Sequence, residues 1–282
     1  MTVAAPLAAQ QVEHYRLFGF VVLRGYLEDV AMALRAEVEQ ALREAYGERF
    51  DDRIGDGGIE GHYLPMMADR TPISRSLVAD DPRLLGAASQ LLDGPVLPDH
   101  GEGVLYFGQA PWHDDCGFNL TAVKMAAYLD PLTADTGALR LLPRSHLPGT
   151  ANVLRRYERA HARLSSDADW EWHINGFPAY IAETRPGDVI AFAVHTWHAS
   201  YHGHDRLAWT VEYLREPGTP VERTRFLDWM RDSCDQADRR YDHARFPLYR
   251  DWIAGAETYP TRRAAITRMA ELGVFELPGA DL

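Results

Sequence analysis

The stretch from about Pro95 to Leu214 constrains the fold most. Short β-prone runs ("PVLPDHGEGVLYFGQ", "AVKMAAYLD", "GALRLLP", "AYIAET", "DVIAFAV", "AWTVEYLRE") alternate with turns such as "TADTG", "PRSHLPG" and "RPGD". Strands separated by tight turns, with no helix between them, predict an antiparallel sandwich or barrel rather than a parallel α/β sheet. A charged helical piece, "VLRRYERAHARL", followed by "DWEWHING", interrupts the run.

The flanks read as helical. "AAQQVEHYRLFGFVVLRGYL" predicts a short helix, a stop at Gly19 and a strand around Phe20–Leu23. "DVAMALRAEVEQALREAYGERF" has apolar residues at helical spacing among strong helix formers. Residues 51–71, centred on "IGDGGIEG", predict a mobile loop, and "DPRLLGAASQLLDG" a helix capped at Asp80 or Asp81. Beyond Pro217, "RTRFLDWMRDSCDQADRRY" and "RRAAITRMAELG" return to helix. The expectation is one domain over 1–282, mainly β with flanking helices, its β core at about 95–215 and its C-terminal helical segment at about 217–282.

Twenty-nine basic against 41 acidic residues leave a formal charge of −12, which argues against nucleic acid or an anionic membrane as partner. The two cysteines, Cys116 and Cys234, form no C-x-x-C pair, and the N-terminus lacks a basic, then apolar, leader pattern. Both point to the cytoplasm, a reducing compartment.

"APWHDDCGFN" carries the chemistry. On a strand, His113 and Asp115 share a face while Asp114 points away. An imidazole and a carboxylate suit Fe(II), Mn(II) or Zn(II), but a third ligand is needed. "GDVIAFAVHTWHASYHGHDR" offers His195, His198, His202 and His204.

Taken in order, "VEHYRLFGFVVLRGYL", "WHDD", "YLDPLTADTGALRLLPRSH", "RPGDVIAFAVHTWHAS" and "HDRLAWTVEY" resemble the phytanoyl-CoA dioxygenase family of Fe(II)/2-oxoglutarate oxygenases, over about Val12 to Leu214. The resemblance implies a double-stranded β-helix, a jelly-roll or cupin-like barrel, with the helices packed around it. It also implies an H-x-D…H triad matching His113, Asp115 and His198, with Arg206 on the far carboxylate of 2-oxoglutarate and the Ser200 hydroxyl assisting. The family's "PGSH" is "PRSH" here, Arg144 standing for the glycine, and the His198–Arg206 spacing is short. Fe(II), 2-oxoglutarate and O₂ are therefore the implied cofactors, with succinate and CO₂ released. A carboxylate at position 115 implies hydroxylation or a related oxidation. Halogenases of this fold carry a small residue there.

Around this centre, Lys124 and Thr121 are candidates for contact with 2-oxoglutarate. A solvated strand lysine is the slightly favoured alternative for Lys124. Tyr106, Gln109 and Trp112 are candidate cavity residues. "GIEGHYLPMM", with His62 and Tyr63, and "DWEWHINGF", with Trp172, are candidate substrate lids, against the alternative of surface loops tied down by their aromatics. The expected substrate is a small polar metabolite, of specialised metabolism or an amino acid or sugar. The C-terminal helices have two uses open to them, a homodimer interface or a cap on the barrel. Two competing functions remain: a cupin-like metalloenzyme without 2-oxoglutarate, and a non-catalytic small-molecule-binding barrel.

Overall fold

The computed structural model describes residues 7–52, 61–116, 120–160, 173–235 and 241–280. Two antiparallel sheets face each other. The larger has six strands in the order β1-β8-β5-β10-β3-β2 and the smaller four, β4-β9-β6-β7. The strands are β1 (Phe20–Leu23), β2 (Gly61–Pro65), β3 (Val96–Tyr106), β4 (Ala110–His113), β5 (Ala122–Tyr128), β6 (Leu139–Leu141), β7 (Tyr180–Ala182), β8 (Val189–Ala193), β9 (His198–Ser200) and β10 (Arg206–Arg215).

Alternation along the large sheet divides its residues cleanly. Leu207, Trp209, Val211 and Tyr213 of β10 join Val123 and Met125 of β5 in the main core, beneath the helices. Ala208, Ala126, Tyr128, Ile190 and Phe192 take the opposite, inner face. A third cluster, with Trp112, Leu142, Leu154, Trp197 and Ala199, covers the outside of the small sheet.

The helices are α1 (Ala9–Phe18), α2 (Ala31–Tyr46), α3 (Pro72–Ala79), α4 (Pro82–Leu92), α5 (Pro148–Ala160), α6 (Pro220–Asp235), α7 (Arg250–Ala254) and α8 (Pro260–Leu272). Helix α2 buries Leu34, Val38, Ala41, Leu42 and Ala45 along one stripe, which is why its sequence was legible. Asp81 caps α4, its Oδ1 accepting from the Arg83 N–H at 2.9 Å, and Pro82 follows at the first turn.

The predicted 51–71 loop is only partly that. Residues 53–60 lie outside the described set, but Gly61–Pro65 is an edge strand paired with β3, and Met66 and Met67 are buried. The large sheet also begins before residue 95, since both β1 and β2 belong to it. Helix α3 was not anticipated. Its eight residues are too short for a periodic pattern to stand out. Among the described residues, no helix is long and apolar enough to cross a membrane.

Candidate metal centre

Three side chains converge between the sheets. His113 ends β4 and pairs directly with His198 of β9, which puts the two rings side by side with centroids 4.2 Å apart. Asp115 lies just past the strand, held by its N–H donating to the Val194 carbonyl at 3.0 Å. Its Oδ1 is 3.6 Å from His113 Nε2 and 3.5 Å from His198 Nε2. Those gaps are long for hydrogen bonds. They are close to the roughly 3 Å that separates neighbouring ligands at ~2.1 Å from a shared ion.

The histidines are oriented from behind. His113 Nδ1 lies 2.7 Å from the Pro111 carbonyl, and His198 Nδ1 lies 2.9 Å from the Thr196 carbonyl. A carbonyl only accepts, so each Nδ1 carries the proton and each Nε2 lone pair is left for an ion. Burial pushes His198 down to about 4, against the pull of Asp115, so its ring is neutral, as a ligand must be. For Asp115 burial pushes the carboxyl up. Lys124, the largest opposing influence, outweighs it and holds the group well below the usual carboxylate range.

Asp114 takes the other side and ion-pairs with Arg155 of α5 at 2.6 Å. His195 is not in the cluster, its Nε2 lying 3.0 Å from the Leu120 carbonyl. His202 and His204 are exposed.

Deeper in the barrel lies a second polar centre. Arg206 is 3% exposed, and among the described residues no carboxylate stands within ion-pair distance of it. Its Nη1 and Nη2 donate to the carbonyls of Gly137 (3.2 Å) and Gly108 (2.7 Å), and Nε has no acceptor among the described residues. The slot for its stem depends on two glycines. A Cβ at Gly137, whose φ is +92°, would lie 2.7 Å from Arg206 Cδ, and one at Gly203 2.5 Å. The Tyr106 ring sits 5.2 Å from the guanidinium. Among the described residues, Ser200 Oγ and Gln109 Oε1 are buried with no hydrogen-bond partner. A buried guanidinium with no carboxylate partner among the described residues has the chemistry to take an anion. This donor set fits the metal and the dicarboxylate that the sequence implied.

Other expectations meet corrections. Lys124 is not a solvated strand lysine. It points inward and bridges Asp115 (3.3 Å) and Glu212 (3.1 Å). Thr121 is exposed just before β5 and shares the parity of the helix-facing Val123, so it does not reach the barrel. Trp112 is fully buried but on the outer face, its Nε1 donating to the His173 carbonyl and its ring packed on Phe177. Alternation puts it opposite His113. His62 likewise faces away, among the rings of Tyr46, Phe50 and Phe107, while Tyr63 points inward and meets Tyr106 edge to face. Trp172 lies outside the described residues. The described part of its segment, 173–177, is the portion tied down by Trp112. Tyr128, Thr210 and Glu212 were missed, although counting by two from Lys124 and Arg206 reaches each of them.

The family model described as Phytanoyl-CoA dioxygenase (PhyH) matches residues 15–205. The chain belongs to the phytanoyl-CoA dioxygenase family. The match ends one residue before Arg206, so the place of that residue in the barrel comes from the structure. The chain is similar to L-proline trans-4-hydroxylase of Streptomyces griseoviridis, with 29% identity over 264 residues, 80% of this chain and 92% of the relative. Ectoine dioxygenase of Bordetella bronchiseptica is 29% identical over 157 residues, 51% of each chain. Among solved structures, EctD from S. alaskensis with 2-oxoglutarate and 5-hydroxyectoine has a TM-score of 0.55 at 20% identity, covering 77% of this chain and 79% of EctD. HygX from Streptomyces hygroscopicus with nickel and 2-oxoglutarate gives 0.55 at 20%, covering 75% and 88%. These likenesses agree on the double-stranded β-helix fold. By family the chain is a dioxygenase that works with Fe(II), 2-oxoglutarate and O₂.

Proposed function

We propose that this member of the family hydroxylates a small polar metabolite at a centre formed by His113, Asp115 and His198, with 2-oxoglutarate anchored by Arg206 and Ser200. The observation that carries the reading is the convergence of the three ligand atoms, within 4.8 Å of one another, in a chain that also buries an arginine with no carboxylate partner among the described residues. Bound Fe(II), with 2-oxoglutarate and O₂, would supply the oxidation that turns a C–H bond into C–OH, with succinate and CO₂ as co-products.

The protein's own part is positioning. His113, Asp115 and His198 would hold the ion through three ligand atoms, too few to fill its coordination, so positions would remain for ligands that exchange. The planar Arg206 fork suits the far carboxylate, and Ser200 Oγ adds a donor to it. Lys124 holds Asp115 Oδ2, which keeps Oδ1 turned toward the two histidines. Tyr128, Ala208 and Phe192 line the inner wall of the large sheet with apolar surface. His113, with 35% of its side chain exposed, marks the side from which substrate enters.

Anaerobic addition of Fe(II) and 2-oxoglutarate should produce the visible charge-transfer absorption of a chelated complex, and its absence would sink the reading. Arg206→Ala should weaken 2-oxoglutarate binding by at least tenfold. An unchanged affinity would favour a cupin-like metalloenzyme that does not use 2-oxoglutarate. L-proline and ectoine, the compounds named by the relatives, are the first substrates to try for stimulated succinate release. Both cysteines are buried and neither is in a disulfide, in keeping with work in a reducing compartment.

A further inference from the structure

Arg206 and Glu212 stand six residues apart on β10, a span of roughly 20 Å at ~3.3 Å per residue. Lys124 pairs with Glu212 across the strands and touches the ligand Asp115, so the metal centre lies toward the Glu212 end. A five-carbon dicarboxylate is only about 6 Å long at ~1.5 Å per bond. Reaching from Arg206 to the metal, it fills the Arg206 side and leaves the Glu212 end to the substrate.

The inner face at that end is charged, and all but one of its charges are engaged. Glu212 holds Lys124, and Lys124 holds Asp115. His100 is bonded through Nδ1 to Asp99 at 2.9 Å. Glu102 is the exception. It sits opposite Thr210, on the inward parity of Val104 and Tyr106, and among the described residues no donor hydrogen-bonds to its carboxylate and no cation pairs with it. Burial raises its carboxyl to about 7, and the charges of His100 and Lys124 offset this only in part, so a cation brought against it would favour its ionised form. Beside it the Tyr63 and Tyr106 rings meet edge to face, centroids 5.8 Å apart, and offer aromatic surface to a cation.

We propose that Glu102 is a specificity-determining residue that receives a protonated amine of the substrate, placing an amine-bearing small molecule between the two tyrosines and the metal. The inference rests on the oxygenase reading above and deepens it. Acetylating the amine removes its charge and two of its donors, so discrimination should be large.

The test uses the full chain with Fe(II), 2-oxoglutarate and ascorbate, and a panel of common amino acids, each beside its N-acetyl derivative. Succinate release above the substrate-free rate is the readout. At least one free amine should exceed its acetylated counterpart tenfold or more in kcat/KM. Glu102→Gln should collapse that ratio at least tenfold, and Glu102→Asp should restore part of it. General damage to the fold would lower both compounds together and leave the ratio unmoved. A panel in which no amine outdoes its acetylated form, or a ratio unchanged in Glu102→Gln, overturns the inference. The charge-transfer absorption of the Fe(II)–2-oxoglutarate complex is read on the same preparations. If it is present while the ratio fails, only the amine site is wrong; if it is absent, both readings fall.

Discussion

Asp114 and Asp115 are neighbours with opposite duties. Asp115 turns in to the histidines, and Asp114 turns out to Arg155. Asp115→Ala should abolish Fe(II)-dependent oxygenation and weaken Fe(II) binding at least tenfold, while Asp114→Ala keeps metal binding largely intact. Anaerobic metal titration of both variants checks this, and the reverse pattern would mean that the wrong aspartate was chosen. Arg144 makes a second residue-scale case. Its φ is +66° in an exposed turn, a left-handed conformation that costs an L side chain about 1 kcal/mol and suits glycine. The glycine that the family carries there is thereby explained. Arg144→Gly should raise stability by up to about 1 kcal/mol in chemical denaturation, without touching metal affinity.

At the scale of elements, alternation was the most productive rule, although it does not by itself explain how His113 and Asp115 converge. Their ligand atoms do come together, but β4 ends at His113, and a backbone bond to Val194 aims Asp115. The same parity separates Tyr63 from His62, His113 from Trp112 and Lys124 from Thr121. It was available in the sequence, but it needed the strand limits and the identity of the inner face. Strand β3 shows how closely helices and sheet are matched. Its Gly101 lies under α3, where a Cβ would come 2.8 Å from Val78 Cγ2 and 3.0 Å from Ser74 Oγ. Gly101→Ala should therefore cost roughly 1–3 kcal/mol through overpacking. The drop should appear in Tm while the charge-transfer absorption of the metal complex is retained.

At the scale of the whole molecule, the C-terminal helical segment is joined to the barrel through Asp99 of β3. This fully buried carboxylate accepts from His100 Nδ1, Trp229 Nε1 and Ser233 Oγ of α6, and the Tyr249 hydroxyl. Burial lowers the pKa of His100, but Asp99 outweighs it and raises it to about 9. A histidine raised in the fold contributes stability fully below its unfolded value near 6.5 and loses it as pH climbs through the folded value. Stability should thus fall by about 3 kcal/mol between roughly pH 6.5 and 9.5. Glu102, raised by burial to about 7, adds a fall of the same sign between about 4.5 and 7. Urea denaturation across this range should show the decline, and His100→Gln should flatten its upper half. An equal slope in the variant would place the effect elsewhere. By itself the sequence determined the β-rich barrel class, the flanking helices, the H-x-D motif and, through family resemblance, His198 and Arg206. All of these are local patterns or ordered motifs. Only the tertiary structure decided that Lys124 pairs with Asp115, that His62, Thr121 and Trp112 face away, and that Glu102 shares the inward parity of Val104 and Tyr106. Those facts depend on which strands become neighbours and which face they bury, and long-range pairing, not local pattern, sets both.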